Sequence, residues 1–293
     1  MNSRRETCKL QIAPWPFGIS VIMIRYSPLL DTAEFRIGRF DHPREHRHRD
    51  PVLEVTPEYS VNRVERGSFA VEIGRRHWEL GPGDLFLNYP GMVYRCRHCE
   101  LVPSDVCMTI AYVPSASSSQ ETAAFERAAR TRPVLPPSNR LAYLFLQVAR
   151  ISNEQMAAEE AAHCVIAEIA CQSVPVRRAY REHQLSWYAE RVDAVRRQID
   201  RHYAAEQRLA WLARSVGMSS FHFARIFREL VGIPPHSYLR RIRLQQAARR
   251  LRQGASVTEA CFASGFQNLS HFSRQFYRHF GVRASTYARQ VTR

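Results

Sequence analysis

Hydrophobic and polar residues alternate in short runs between about residues 17 and 113, and glycine and proline separate the runs. The clearest runs are FGISVIMIRY, SVNRVERGSFAVEI, HWELGPGDLFLNYPG and DVCMTIAYV. A two-residue period is typical of β-strands, and several short strands with regular turn signals predict a sandwich or a barrel. The polar stretch 113–120 marks the end of this region.

The period changes to a helical one after this break. Apolar residues recur at spacings of three and four in two segments, first at Leu141, Leu144, Phe145 and Val148, then at Val165, Ile166, Ile169 and Ala170. This spacing places each set on one helical face, so we predict two amphipathic helices within about 138–172. Residues 173–186 have the composition of a linker, and the chain beyond them is predicted to be helical throughout.

One helical pattern occurs twice in the last third of the chain. HFARIFRELVG (222–232) returns 49 residues later as HFSRQFYRHFG (271–281). In each copy the phenylalanines share one face, and Arg225 or Arg274 projects from another. Serine or asparagine stands before each copy as a candidate N-cap, and a glycine ends it.

A shorter helix and a glycine-containing turn precede each copy, with Gly217 in the first turn and Gly265 in the second. Two helices joined in this way, with an apolar inner stripe and a polar outer face, are typical of a helix-turn-helix. Between the two units, the segment from Pro234 to Gly254 predicts a long connecting helix. About 17 residues of helix span about 25 Å, which can hold two reading helices about one DNA turn apart.

Charge is distributed unevenly along the chain. The formal net charge is +15, and residues 187–293 carry 19 Arg against 6 acidic residues, so +13 of it lies there. A concentrated basic region favours a polyanionic partner, with nucleic acid ahead of an anionic membrane. Arginine also suits base reading, because it can donate two hydrogen bonds to guanine O6 and N7.

Length and composition indicate a globular protein of about two domains. A chain of 293 residues, 45% of them hydrophobic, can form about two packed domains. No apolar run approaches the roughly 20 residues of a membrane-spanning helix, and the N-terminal residues lack the apolar core of a signal peptide. The 7 cysteines at irregular spacing favour a reduced, cytoplasmic setting.

The C-terminal residues resemble the AraC/XylS-type transcriptional regulators. Residues 187–293 are similar to the whole DNA-binding domain of that family, and GFQNLSHFSRQFYRHFGVRASTYAR (265–289) is similar to the family signature across its length. Three departures are Ala224, which is too short to hydrogen-bond a base, Cys261, where the family usually has alanine, and Ala284, where it often has proline. None of them is expected to disable the fold.

The resemblance implies that outward residues of both recognition helices contact DNA. By position these are Ser220, Phe221, Ala224 and Arg225 in the first helix, and Leu269, Ser270, His271, Ser273 and Arg274 in the second. His222 either packs or caps the helix, or it touches DNA. Tyr238 and Tyr287, which are also 49 residues apart, are expected in the core.

The N-terminal half resembles a cupin-like sensor domain over about residues 30–113, through FDHPREHRHRD (40–50) and the Pro-Gly-Asp turn. His42, His46 and His48 are candidate effector-binding residues. His46 and His48 with Glu54 look like the first half of a cupin metal motif, but Phe86 stands where the second half would supply histidine. We therefore expect no metal, no cofactor and no catalytic residue.

A Cys-x-x-Cys motif offers a different chemistry. Cys96 and Cys99, with Cys107 nearby in sequence, are weak candidates for a metal or thiol sensor. A single pair at this spacing is not specific, and Cys107 is expected to be a small buried strand residue.

These observations predict an α+β multidomain protein. The expected fold is an N-terminal cupin-like β-barrel with two flanking helices (1–172), a linker (173–186) and a C-terminal all-α domain with two helix-turn-helix units joined by a long helix (187–293). The expected function is a cytoplasmic, nucleoid-associated, ligand-responsive transcription regulator, an activator by family habit, that binds double-stranded DNA and a small-molecule effector. The resemblance implies a homodimer and allows a contact with RNA polymerase. The alternative is a cupin-type metal enzyme, or a thiol or metal sensor, fused to a DNA-binding domain.

Overall fold

The computed structural model describes residues 25–41, 52–98, 105–114, 119–150, 155–171 and 180–291, with no side-chain description for 25, 52, 98, 290 and 291. Contacts between residues divide the chain into two compact units, Met1–Val113 and Pro114–Arg293. The first unit is built from β-strands and the second is almost wholly helical.

Nine strands form the described part of the first unit. They are β1 (Arg25–Asp31), β2 (Phe35–Asp41), β3 (Val52–Val55), β4 (Tyr59–Arg66), β5 (Phe69–Ile73), β6 (Arg76–Leu80), β7 (Leu85–Asn88), β8 (Val93–His98) and β9 (Val106–Tyr112).

These strands make two antiparallel sheets. One sheet runs β1-β2-β9-β4-β7 and the other β3-β8-β5-β6. Register follows the alternation of the sequence, so that Ile37, Ile110 and Val61 lie side by side on three neighbouring strands and are all fully buried. The predicted β-rich fold of the N-terminal part is thereby confirmed.

Ten helices and one short strand form the described part of the second unit. They are α1 (Ser119–Thr131), β10 (Val134–Leu135), α2 (Asn139–Arg150), α3 (Gln155–Ala170), α4 (Glu182–Arg201), α5 (Leu209–Ser215), α6 (Ser220–Val231), α7 (Pro235–Arg252), α8 (Val257–Ala263), α9 (Leu269–Phe280) and α10 (Ala284–Val291).

The helices surround two separate hydrophobic cores. The first lobe comprises α2, α4, α5, α6 and the first half of α7; it buries Tyr143, Phe223, Phe227 and Tyr238 among others. The second lobe comprises the second half of α7 with α8, α9 and α10, and its core includes Phe272. Helix α7 thus contributes one end to each core and connects the lobes as a continuous element.

The helical region differs from the prediction in two places. Helix α1 was not predicted, because its first residues continue a Ser-rich stretch that looked like a break. Helix α4 begins at Glu182, inside the segment 173–186 that was predicted to be a linker. The predicted domain limits at residues 172 and 187 stay a prediction. The compact units are defined by contacts between residues, whereas the predicted domains were defined by their expected functions. Among the described residues, no helix is long and apolar enough to cross a membrane.

Candidate nucleic-acid interface and ligand site

The first recognition helix, α6, has a defined beginning and end. The Ser219 hydroxyl accepts a hydrogen bond from the His222 amide at 3.4 Å. Gly232 ends the helix with a φ of 86°, in the left-handed region that side chains other than glycine rarely adopt. Both features were predicted from the sequence and are confirmed. They fix which residues of α6 face inward and which face outward.

The inner face of α6 is fully buried. Phe223, Ile226, Phe227 and Leu230 all have no exposed surface, and the rings of Phe223 and Phe227 lie 5.5 Å apart. Deleting such a ring costs both transfer free energy and a cavity. This packing holds α6 against α5, as a helix-turn-helix requires.

The outer face of α6 carries the predicted base-contacting residues. The Phe221 side chain is 83% exposed, an unusual state for a large apolar residue. Arg225 is exposed, while Ser220 and Ala224 are half-buried. His222 packs instead, with its ring 5.6 Å from that of Tyr188.

The second recognition helix, α9, repeats this construction. Asn268 Oδ1 accepts a hydrogen bond from the His271 amide at 2.8 Å, and Gly281 ends the helix with a φ of 71°. Phe272 and Phe276 are fully buried. The predicted core residue Tyr287 is half-buried, with its ring 5.5 Å from that of Phe276.

The outer face of α9 is more polar than that of α6. The exposed residues include all five that were predicted, namely Leu269, Ser270, His271, Ser273 and Arg274. Leu269 is 38% exposed and is the apolar member of the set. The two turns differ in length by one residue, since residues 216–219 separate α5 from α6 and residues 264–268 separate α8 from α9.

Helix α7 sets the two recognition helices apart. Pro234 precedes it and Pro235 is its first residue, where a missing amide hydrogen costs nothing. Tyr238 is buried as predicted, and its hydroxyl donates to Asp200 Oδ1 at 3.1 Å and accepts from Arg196 Nε at 3.4 Å. These bonds fix the angle between α4 and α7.

Arg225 has a partner that the sequence did not reveal. Its Nη1 lies 3.7 Å from Oε2 of Glu229, one helical turn later. Arg274 has no such partner within the described part of the chain, and Arg278 occupies the position equivalent to Glu229. The i,i+4 spacing could have suggested the Arg225–Glu229 pair. The other partners of Glu229 come from segments that are distant in the sequence.

The β-stranded unit contains a polar cluster between its sheets. Thr109 Oγ1 donates to Asn62 Oδ1 at 2.7 Å, and Asn62 Nδ2 donates to Asn88 Oδ1 at 3.1 Å. On the other sheet, the Tyr94 hydroxyl donates to Glu54, and the Tyr94 ring lies 5.0 Å from that of Phe86. Burial, followed by the nearby Glu54 carboxylate, raises the pKa of Tyr94 well above its ordinary value.

These donors and acceptors are paired with one another, as buried polar groups generally are. They are candidate contacts for a small polar ligand, because ligand sites combine apolar walls with a few polar groups of this kind. Sequence reasoning missed Asn62, Asn88 and Thr109, since polar residues at alternate strand positions ordinarily face water. The predicted effector-binding residues His42, His46 and His48 lie outside the described residues.

The predicted thiol site is only partly described. Cys96 lies on β8 and Cys107 on β9, which belong to different sheets. Burial, and next the Asp105 carboxylate, strongly raise the pKa of the Cys107 thiol, which keeps it protonated and unreactive at neutral pH. Cys99 lies outside the described residues. Among those described, no group of three or more His, Cys, Asp or Glu side chains could hold a metal ion.

Comparisons with known proteins find two separate matching segments in the chain. A model of the AraC-like ligand binding domain matches residues 37–164, and a model of a helix-turn-helix domain matches residues 212–290. The uncharacterised regulator YbfI of Bacillus subtilis is 38% identical over 73 residues, which are 25% of this chain and 26% of that protein. The transcriptional activator RhaS of Escherichia coli is 30% identical over 106 residues, or 36% of this chain and 38% of that protein.

The chain therefore aligns with well under half the length of these curated relatives. A crystal structure described as a probable AraC family transcriptional regulator from Rhodopseudomonas palustris is 30% identical, covering 35% of this chain and 97% of that one, with a TM-score of 0.33. The two family models match separate parts of the sequence, and the named relatives are transcriptional regulators. On these grounds the chain belongs to the AraC family of transcriptional regulators.

Proposed function

We propose that this protein is a ligand-responsive transcription regulator that binds specific DNA sequences through α6 and α9. The observation that supports this most strongly is the repeated helix-turn-helix, with both recognition helices buried on one face and exposed on the other. Exposed outer faces of this kind fit the major groove of B-DNA.

Each recognition helix offers a different chemistry to the bases. Arg225 and Arg274 can each donate two hydrogen bonds to guanine, whereas Phe221 and Ala224 can contact only the methyl group of thymine. The other proposed contacts are Ser220, Leu269, Ser270, His271 and Ser273. Because the two sets differ, we expect one chain to bind an asymmetric site with two unlike halves.

The positive charge of the C-terminal region also favours DNA as the partner. The excess of +13 in residues 187–293 would attract the phosphate backbone whatever the base sequence. Each phosphate neutralised contributes about −0.9 to the slope of log K against log salt. We therefore expect strongly salt-dependent binding to non-cognate DNA.

The β-stranded unit would supply the response to a ligand. The family model of a ligand-binding domain matches this unit from residue 37 onward, and the cluster around Asn62 and Tyr94 offers donors and acceptors for a small polar effector. His42, His46 and His48 remain proposed contributors. A cytoplasmic location, a homodimer, transcriptional activation and a contact with RNA polymerase complete the proposal, by resemblance to the family.

Selection of bound duplexes from a randomised DNA pool tests this function. The full chain should enrich one asymmetric sequence whose two informative segments lie about one helical turn, about 10 base pairs, apart. Footprinting on the enriched duplex should protect both segments. Failure of the folded protein to enrich any sequence would contradict specific DNA binding, and a perfect palindrome within one chain's footprint would contradict the unequal roles of α6 and α9.

A further inference from the structure

We propose that Glu229 positions Arg225 for base reading, and that this anchored pair makes the first recognition helix the more selective of the two. The inference rests on the proposed DNA-binding function. It is carried by one juxtaposition: a nearly buried carboxylate, held by two residues from outside the helix-turn-helix, lies one turn from an exposed arginine.

The pair has one fixed member and one accessible member. The Glu229 side chain is only 13% exposed, whereas that of Arg225 is 47% exposed. Their closest atoms, Glu229 Oε2 and Arg225 Nη1, are 3.7 Å apart. At this distance the carboxylate can orient the guanidinium, and the Tyr180 hydroxyl contacts Arg225 as well. The N–H groups that neither partner engages are the ones that can bind a base.

Glu229 is fixed by hydrogen bonds from two other segments. Asn139 Nδ2, at the start of α2, donates to Glu229 Oε1 at 2.7 Å. The Tyr180 hydroxyl, just before α4, donates to Glu229 Oε2 at 2.7 Å. Asn139 Oδ1 in turn accepts from the Tyr180 amide at 2.6 Å, which joins the two donors to each other.

The donor role of Tyr180 is secure at neutral pH. Burial, and next its bond to Glu229, raise the pKa of the Tyr180 hydroxyl to about 12. The proton therefore stays on the phenol, and the carboxylate keeps both of its donors. A carboxylate held on both oxygens cannot turn away from Arg225 without breaking a part-buried hydrogen bond.

An anchored arginine discriminates between bases better than a free one. A free side chain can leave a wrong base and bind a phosphate, which keeps affinity and loses selectivity. The carboxylate of Glu229 opposes that movement, because it attracts Arg225 and repels phosphates. Preorganisation also lowers the entropy lost when two parallel hydrogen bonds to guanine form.

The second recognition helix lacks the equivalent of the Arg225–Glu229 pair and can be compared with the first. Arg278 stands where α9 would need a carboxylate, four residues after Arg274. A like charge at that spacing repels Arg274 and leaves its direction open. We therefore infer that Arg274 reads its base with less selectivity than Arg225.

The experiment compares sequence selectivity among full-length variants. Duplexes are selected from a randomised pool with the wild type, Arg225→Ala and Arg274→Ala, to find the base that depends on each arginine. Affinities are then measured for the four bases at each of those positions. In Glu229→Gln the preference for guanine at the Arg225-dependent position should fall about 5- to 10-fold, within the range that a bidentate contact provides. The Arg274-dependent position should not change.

Asn139→Ala provides a variant that leaves the recognition helix and the net charge unaltered. It removes one donor to Glu229 and should lower the same guanine preference by about 2- to 4-fold, a fraction of the effect of losing a direct contact. Equal melting temperatures of variant and wild type would show that folding is retained.

Arg278→Glu tests the inference by installing a carboxylate on α9. Arg278 is exposed, so the fold should tolerate the change. The guanine preference at the Arg274-dependent position should rise by about 2- to 3-fold, as expected of an i,i+4 ion pair without further support. Arg278→Gln is the matched control, which removes the repelling charge but adds no carboxylate, so the guanine preference should rise less in this variant than in Arg278→Glu.

The outcomes separate this inference from the proposed function. If the wild type enriches no sequence, the DNA-reading function is wrong, and this inference is wrong with it. If the wild type enriches a motif and the Arg225-dependent preference is the same in folded Glu229→Gln and Asn139→Ala, only the positioning role is overturned. Should Glu229→Gln fail to fold, an unchanged preference in both Asn139→Ala and Arg278→Glu would overturn it equally.

Discussion

The two lobes of the helical unit share one plan but differ in what supports them. The core of the first lobe includes residues from α2 and α4, such as Tyr143 and Ile199, beside those of its helix-turn-helix. The core of the second lobe contains residues of α7 to α10, such as Leu244 and Phe272. A duplicated motif therefore need not give two equal modules, because each copy depends on the elements packed behind it.

The difference extends to the polar contacts. Buried hydrogen bonds connect α2 and α4 in the first lobe, where the Tyr143 hydroxyl donates to Asp193 at 2.5 Å and accepts from Arg196 Nη1 at 2.9 Å. Arg140 Nη1 also donates to the Leu230 carbonyl, at the end of α6, at 3.0 Å. The first recognition helix is thus held by residues that precede the helix-turn-helix in the chain.

The largest test of this comparison removes one core ring from each lobe. Phe227→Ala and Phe276→Ala should each cost about 3–5 kcal/mol of stability, because both rings are fully buried and each deletion leaves a cavity. In hydrogen exchange, Phe276→Ala should speed exchange in α8 to α10 while α4 to α6 keep their protection. Phe227→Ala should also reach α2 and α4.

Phe221→Ala is the matched control, since it removes the same ring from a position that is 83% exposed. Its melting temperature should equal that of the wild type. Equal acceleration of exchange in both lobes of Phe276→Ala would show instead that the helical unit opens as a single body.

The second test removes from each lobe the arginine that is proposed to contact bases. Arg225→Ala and Arg274→Ala should each weaken binding to the selected duplex by about 1–3 kcal/mol and leave the melting temperature unchanged. Titration of each variant with the selected duplex and with an unrelated duplex gives the measurement. Unchanged affinity of both variants for the selected duplex would remove these arginines from the interface.

The third test uses the glycines that end the recognition helices. Alanine at either position must adopt a left-handed conformation, which costs about 1–2 kcal/mol. Gly232→Ala should cost more than Gly281→Ala, because a Cβ at Gly232 would lie 2.6 Å from the Arg140 guanidinium, whereas one at Gly281 meets nothing within 4 Å. Chemical denaturation of the two variants gives the comparison. Equal losses would mean that Arg140 moves aside freely.

The smallest expected effect is a pH dependence of stability that arises from Tyr180, in the first lobe. Burial and Glu229 raise the pKa of Tyr180 from 10.0 to about 12 in the folded state. Its contribution to stability is therefore complete below about pH 10 and is lost as the pH rises towards 12. As the pH rises from 10 to 12, the free energy of unfolding should fall less for Tyr180→Phe than for the wild type. Urea unfolding at a series of pH values gives the measurement. Parallel curves for the two proteins would contradict the raised pKa.

Local patterns predicted the helix-turn-helix units well, because their determinants lie within a few residues. Caps at Ser219 and Asn268, the glycine ends and the buried phenylalanines follow from helical period and turn chemistry. Helix α1 was missed because SQETAAFERAART has few apolar residues and begins within a serine-rich stretch.

The remainder of the candidate sites depends on long-range contacts. Asn139 is 90 residues from Glu229, and Thr109 is 47 residues from Asn62. Nothing in the local sequence of either residue marks its partner, since any polar residue at these positions would suit a solvated surface equally well. Such pairs are set by how distant elements pack, which a single sequence does not display.

Helix α7 has a consequence for how promoters that carry this protein's sites can change. Its 18 residues form one unbroken helix about 27 Å long, with each end embedded in a different core. In the proposed mode of DNA binding, helices α6 and α9 therefore keep a fixed phase along the duplex. A single base pair inserted between the two DNA segments rotates one about 34° relative to the other, since a turn holds about 10.5 base pairs. Base substitutions should thus be tolerated gradually across related promoters, whereas single-base insertions and deletions within the site should be rejected.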